Sequence, residues 1–444
     1  MLTISIIGAG AAGLSAAYTI AKAGHKPVVY ESAPFLGGQA STFDIDGGRL
    51  EKGYHHLFTS DHDMINLIHE LGLGSQLEWI ESKVGIFCEG KIYNFITPLD
   101  LLRFTPLSIL DRLRLGLVTM YLRQYKKWEF LENHTAAEWI RKYAGMGVYD
   151  TVWGPLLRGK FGSKYDKVGM PWFWGKIQTR FASRGKGIKG MQKEKLGYPI
   201  GSFAEIFESL DKKIHELGGT VNLSTGVKSI SVRDGKAIGL EIANQSGPQK
   251  IIESDAVLAT VPSYVFPKLV QSLPEDYIAK LNNVNYLSAV LIILELYHPF
   301  SEHYWLNIAD RSIPFVGLIE QTNLVSPSIY GNKHVLYISN YLDESNPLFN
   351  MTDAELLETY IPHLKSINPS FNESWIHRWH YHKVAAAQPI IEPMYSERIP
   401  AHHTPIKNLY LANTTQIYPE DRGTNYSVRM GTQVAELMLN DLTR

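Results

Sequence analysis

Three glycines in the order Gly8-x-Gly10-x-x-Gly13 constrain this chain more than any other feature. They sit between an apolar run, Ile4 to Ile7, and a run of small residues closed by Gly24. A second strand, Pro27 to Tyr30, then ends on Glu31. Each part has a physical task. Gly8 permits a tight strand-to-helix turn. Gly10 lets a pyrophosphate approach the backbone, and Gly13 lets the helix lie close on the sheet. The helix N-terminus presents N–H groups and partial positive charge to phosphates. Glu31 stands where a carboxylate grips ribose hydroxyls, which disfavours a phosphorylated ribose. The pattern predicts a bound, unphosphorylated dinucleotide. It begins so near Met1 that we expect no preceding domain and no cleaved signal peptide.

A second glycine turn, Leu36-Gly37-Gly38-Gln39-Ala40, follows Glu31 and Ser32. At this point the chain resembles the flavin-dependent amine oxidase superfamily. That group holds protoporphyrinogen oxidases, carotenoid desaturases and, more distantly, UDP-galactopyranose mutases. Two distant segments repeat the likeness. Asp255 to Pro262 is similar to the family's acidic residue, apolar strand and small-residue turn. Asn408 to Asn413 and Gly423 to Gly431 are similar to its closing strand and helix. The resemblance implies non-covalent FAD. It places Gly8, Gly10, Ala11, Ala12, Gly13, Glu31, Ser32, Gly37, Gly38, Gln39, Ala40 and Val227 against the cofactor. From the closing motif it adds Asn413, Gly423, Asn425, Tyr426, Ser427 and Val428. Val227 would present its backbone to the adenine, and the closing helix would point its N-terminus at the flavin pyrimidine. Two positions depart from the family: Gln39 stands where Arg is usual, and Asn413 where Asp is usual. Both changes keep hydrogen bonding and remove charge.

The implied fold class is α/β: a discontinuous Rossmann-type FAD-binding domain with an inserted α+β substrate domain. Residues 1–75, 198–268 and 404–444 would form the first, and residues 76–197 and 269–403 the second. The insert reads as a helical region plus a mainly antiparallel sheet. Strands are expected at Val84 to Cys88, Lys91 to Phe95, Ser288 to Leu296 and His334 to Tyr341. A long helix is expected from Leu107 to Trp128, and another with Ile65, Ile68 and Leu71 on one face.

Net charge is −1 over 444 residues, which gives nucleic acid no basic stripe to bind. Cys88 is the only cysteine, so internal disulfides and cysteine-rich metal or iron–sulfur sites are excluded. No metal site is expected. A single thiol fits a reducing cytosol, hence a cytoplasmic expectation. Cys88 also lies far from the closing motif, against a cysteinyl flavin link.

Three stretches bear on chemistry. Gly53-Tyr54-His55 resembles the Gly-x-His segment of desaturases and mutases, where the His approaches the flavin, so His55 is the candidate catalytic residue. Arg158, Lys160, Arg180, Arg184 and Lys186 form a locally basic region among aromatics. Arg158 and Arg180 are the candidates for an anionic end of the substrate, with a solvated face as the plain reading. Leu107 to Tyr125 is apolar with basic ends. It reads either as a helix packed on the protein or as a peripheral membrane contact. The expected activity is hydride transfer from an apolar small molecule to flavin N5. A redox-neutral nucleotide-sugar mutase and a flavin-binding protein without turnover are the alternatives. Substrate identity and oligomeric state stay open.

Overall fold

The computed structural model describes residues 1–182, 194–243 and 251–443. Arg184 and Lys186 lie outside the described residues. A parallel five-stranded sheet runs in the order Thr220–Asn222, Lys26–Tyr30, Thr3–Ile7, Ala256–Ala259, Leu409–Leu411. Every neighbouring pair is parallel. Parallel strands need cover on both faces, and Ile4, Ile6, Val257 and Leu258 are fully buried. One cover is the helix Ala11–Lys22, rich in Gly and Ala because it is clamped from two sides. A Cβ on Gly13 would stand 2.0 Å from the Gly8 carbonyl oxygen. A Cβ on Gly431 would stand 2.2 Å from the Ala12 carbonyl oxygen, so the closing helix Thr424–Thr443 lies tightly on Ala11–Lys22.

A seven-stranded sheet runs in the order Ile376–Pro389, Tyr286–Leu296, His334–Leu342, Gly317–Glu320, Trp305–Ile308, Val84–Cys88, Lys91–Asn94. It is antiparallel except where Trp305–Ile308 meets Val84–Cys88. The strand pair 84–94 thus joins a sheet from the other end of the chain, a pairing that local pattern does not encode. The last strand bulges at Ala385–Ala387, where Ala386 takes φ +51°. A smaller sheet, Leu57–Phe58, Lys195–Pro199 and Leu77–Glu81, ties the two regions together.

Helices including Ile109–Gln124, Gly154–Phe161 and Met170–Ala182 cover one side. The expected long helix stops at Gln124 rather than Trp128, since Tyr125 is extended. Side chains from Met170–Ala182 satisfy its end: Gln178 donates to the Leu122 and Arg123 carbonyls, and Trp174 to that of Tyr125. The helix His62–Glu70 turns its expected face inward: Ile68 is buried, Ile65 packs partly buried on the core, and Leu71 just past the helix end is buried. Met64 and Leu67 widen that face, and Asn425 accepts the Met64 N–H in the first turn.

Candidate active site

The glycine loops meet in space. Gly37 and Gly38 take φ +92° and +57°, and Gly37 pairs with Gly10. A Cβ on Gly38 would stand 3.1 Å from the Gly10 Cα, and one on Gly37 only 2.8 Å from Phe207. A Cβ on Gly10 itself meets nothing closer than 3.9 Å. Gly10 therefore lies against the second glycine turn without crowding, at the head of a helix with no side-chain cap and no acidic residue in its first turn. Such an end suits a pyrophosphate. Glu31 holds this loop: its carboxylate accepts from the N–H groups of Ala9 at 2.9 Å and Ala33 at 2.8 Å, and from Ser32 Oγ. The chain before Val227 runs beside it, with Ser224 and Thr225 N–H donating to the Ala33 and Glu31 carbonyls. Ala40 is buried under the second glycine turn. These residues fit FAD.

Gln39 spans from that turn to the inserted region. Its Nε2 donates to the Ala386 carbonyl at 3.1 Å, the oxygen that the bulge turns outward. Asn413 is buried and used within the protein: its amide donates to Val261 and Ser263, and its oxygen accepts from Thr415. Asn425 and Val428 are buried at the start of the closing helix, where Ser427 N–H donates to the Gly423 carbonyl. Tyr426 OH lies 3.5 Å from Thr179 Oγ1.

An aromatic wall stands in front of that helix. Tyr54 packs edge-on against Trp305 and Tyr337, and His55 lies against Phe203. His55 Nδ1 is 2.6 Å from the Gly53 carbonyl. A carbonyl only accepts, so the neutral ring carries its proton on Nδ1 and leaves Nε2 as an acceptor. Burial pushes His55 down to about 4, with Arg422 adding to the effect against the Gly53 bond. Burial, Arg180, His55 and Lys176 push His56 down to about 3. Both rings are uncharged at neutral pH.

Beside the wall lies a charged cluster. Asp421, 7% exposed, takes Lys160 Nζ at 2.8 Å and Lys176 Nζ at 2.5 Å on one oxygen. Its other oxygen accepts from Trp172 Nε1 at 2.9 Å and Gln388 Nε2 at 3.4 Å. Arg422 donates to Gln388 Oε1 and Tyr341 OH, and Tyr341 OH bonds Tyr54 OH at 3.2 Å. Burial would raise the Asp421 carboxyl, but Lys160, Lys176 and Arg422 outweigh it and hold it well below the usual range. Burial lowers Lys176 to about 8 despite Asp421.

Arg180 reaches this cluster, 3.7 Å from Glu194 and close enough to bear on His56. Arg158 does not. It lies over Tyr165, near Tyr149 and Arg311, so the two candidate arginines serve different places. Lys176, Asp421, Arg422, Gln388 and Tyr341 were invisible as a group in the sequence. One signal was available: Trp172, Lys176 and Arg180 fall on a single helical face. Of the aromatics nearby, Phe161, Trp172 and Phe173 are core. Cys88 is buried in the seven-stranded sheet, away from the closing helix. His402 and His403 bond the Leu411 carbonyl and Asp441. Shallow depressions at Pro347–Thr359 and beside Ile92 touch none of these residues.

If Glu31 both holds the loop and grips ribose, Glu31→Ala will weaken FAD retention by about 1–3 kcal/mol. Fluorescence titration of the stripped protein with FAD measures it, and unchanged affinity would place the ribose elsewhere.

The profile of the family described as flavin containing amine oxidoreductase matches residues 11–439. The 15-cis-phytoene desaturase of an Oncidium hybrid cultivar is 24% identical over 453 residues, covering 93% of this chain and 73% of that protein. Among solved structures, reduced UDP-galactopyranose mutase shares the fold with a TM-score of 0.77 and 16% identity, over 100% of this chain and 97% of that one. An oxidoreductase from Methanosarcina mazei gives 0.76 and 18%, over 98% and 100%.

Proposed function

The chain belongs to the flavin containing amine oxidoreductase family, and from that premise we propose that it dehydrogenates an elongated, mostly apolar small molecule. It is an FAD-dependent oxidoreductase. The proposal assigns FAD binding to residues 1–75, 198–268 and 404–444, and the substrate to residues 76–197 and 269–403. One observation carries it: Tyr54, Trp305 and two neutral histidines, all partly exposed, form an aromatic patch backed by the buried rings of Phe203 and Tyr337. Such a patch suits an apolar body held by contact area, with a few polar groups fixing orientation. The desaturase relative points the same way by its name.

FAD, when bound, supplies the hydride acceptor. The chain's own residues then do the rest. Gly8, Gly10 to Gly13, Gly37 and Gly38 would hold the phosphates, with Glu31 and Ser32 toward the ribose and Val227 toward the adenine. The N-terminus of the closing helix, Gly423 to Val428, favours negative charge on the reduced ring. Tyr54 and the aromatic wall exclude water. His55 offers Nε2 as an uncharged acceptor toward the substrate. Arg180 and, separately, Arg158 are held for polar ends of the substrate.

The purified protein is expected to be yellow, with about one FAD per chain that acid precipitation releases. Anaerobic bleaching of the flavin by lipophilic alkenes or tetrapyrroles tests the activity. Bleaching by simple polyamines alone would overturn the substrate class. Turnover seen only after dithionite, with no acceptor consumed, would replace the reading by the mutase.

A membrane role belongs to the same proposal. No helix of the described residues is long and apolar enough to cross a bilayer. Yet the helix Ile109–Gln124 buries only Leu115 and Leu122. Ile109, Leu110 and Leu117 are 72%, 78% and 72% exposed, and Leu99 and Leu102 of a neighbouring helix extend the patch. Arg103, Arg112, Arg114 and Arg123 flank it, which complements an anionic lipid surface. Cosedimentation with anionic vesicles is expected, and Leu110→Glu with Leu117→Glu should reduce it at least about tenfold. Equal sedimentation of both proteins would remove the membrane from the proposal.

A further inference from the structure

Among the described residues, the cations beside the closing helix outnumber the carboxylates that pair with them. Lys160 and Lys176 share a single oxygen of Asp421. The other oxygen is already taken by Trp172 and Gln388. Arg422 touches only neutral acceptors, Gln388 Oε1 and Tyr341 OH, and no described carboxylate lies within ion-pair distance of it. Arg180 has its own carboxylate in Glu194. Asp61, the next carboxylate toward Lys176, accepts from the Phe58 N–H, and burial raises it to about 6. Three cations thus share one directly paired carboxylate, beside the aromatic patch of Tyr54 and Trp305. A partly buried guanidinium bonded only to neutral groups keeps an open claim on an anion.

Resting on the dehydrogenation reading above, we propose that the substrate is an amphiphile. Its apolar body lies along the aromatic wall, and an anionic head, carboxylate or phosphate, docks among Lys160, Lys176 and Arg422. Arg422 is the principal contact, since its Nε and Nη2 bond only the neutral Gln388 and Tyr341 and its charge has no carboxylate in ion-pair contact among the described residues. The lysines add charge, and Asp421 fixes their positions. A wholly uncharged hydrocarbon would leave these cations uncompensated, so the assignment separates this chain from an enzyme built for one.

The test uses FAD-loaded protein and a set of fifteen-carbon probes that differ only at the head: farnesol, farnesylamine, farnesoic acid and farnesyl diphosphate. Binding is read from perturbation of the flavin absorption spectrum below the concentrations at which the probes form micelles. The two acids are expected to bind at least about tenfold tighter than the alcohol, the amine weakest, and added salt to erase the difference. The tighter of the two acids tells a phosphate head from a carboxylate. Arg422→Gln should abolish the preference while keeping alcohol binding, and Arg422→Lys should restore part of it. The Arg422→Gln variant leaves Asp421 paired with Lys160 and Lys176, and Arg422→Lys, which keeps the charge, controls for any loss of fold. Equal binding of all four probes would overturn the assignment. So would an Arg422→Gln protein that changes only the flavin spectrum and keeps the preference, since Arg422 would then serve the cofactor. Preference for the acids without anaerobic bleaching upholds the anionic head and counts against the dehydrogenation reading. Bleaching by the alcohol as readily as by the acids does the reverse.

Discussion

A Gly13→Val protein is expected to be colourless and poorly folded. The Cβ would lie 2.0 Å from the Gly8 carbonyl oxygen and 3.3 Å from Thr260 Oγ1. The first contact sets the Cβ itself against a backbone oxygen, so no rotamer relieves it. The helix Ala11–Lys22 would have to lift off the sheet, taking with it the N–H groups that face the pyrophosphate. Overpacking in a close-packed core costs about 1–3 kcal/mol, and a rigid clash belongs at or above the top of that range. Flavin absorbance per protein and the melting temperature with excess FAD are the readouts. Gly24→Ala is the control, since nothing lies within 4 Å of its Cβ and only its φ of +79° is strained. A yellow Gly13→Val protein of normal stability would mean that the helix sits higher than described.

Asp421→Ala should be the most damaging change outside the cradle. It removes the carboxylate between Lys160 and Lys176 and leaves two ammonium groups facing each other. Breaking a buried pair costs about 3–5 kcal/mol. The Lys176 side chain is 39% exposed, so about 2–4 kcal/mol is expected after solvent screening. The pH dependence has a definite sign. The native carboxyl lies below its ordinary 3.8, so its contribution is complete above that value and fades as pH falls beneath it. Asp421→Asn should therefore differ most from the parent near neutrality and least in strong acid. Denaturant melts at both ends of that range measure it. A gap that widens in acid would contradict the pairing.

The cradle was legible because its constraints are local. A turn, a close helix and an acidic strand end lie within about thirty residues of one another, and each needs a particular residue type. The strands Tyr286–Leu296 and His334–Leu342 showed by alternation for the same reason. The charged cluster was not legible. Trp172 and Asp421 are 249 positions apart, and neither carries a local mark of its partner. Lys160 and Lys176 look like surface residues until the loop before Thr424 folds over them. The helix Ile109–Gln124 was read as packed on the protein, with a membrane contact as the alternative. Its pattern is apolar on more than one face, and only the neighbours decide which face is covered. Arg158 and Arg180 read as one basic region because they are close in sequence, yet they diverge in space.

The order of strands in the parallel sheet has a consequence for biosynthesis. Its first strand, Thr3–Ile7, lies between partners from positions 26–30 and 256–259, and the edge strand comes from 409–411. The Thr3 N–H is held by Asp255, 252 residues away. A ribosome delivers the glycine loop first, but its platform is finished only when the last strand has emerged. Until then the segment 3–30 is an apolar strand–helix–strand unit with unpaired edges, a species prone to sticking. Cofactor loading is thereby a late event that waits on the strand at 409–411. Chains stalled before residue 409 should carry no flavin and depend on chaperones for solubility.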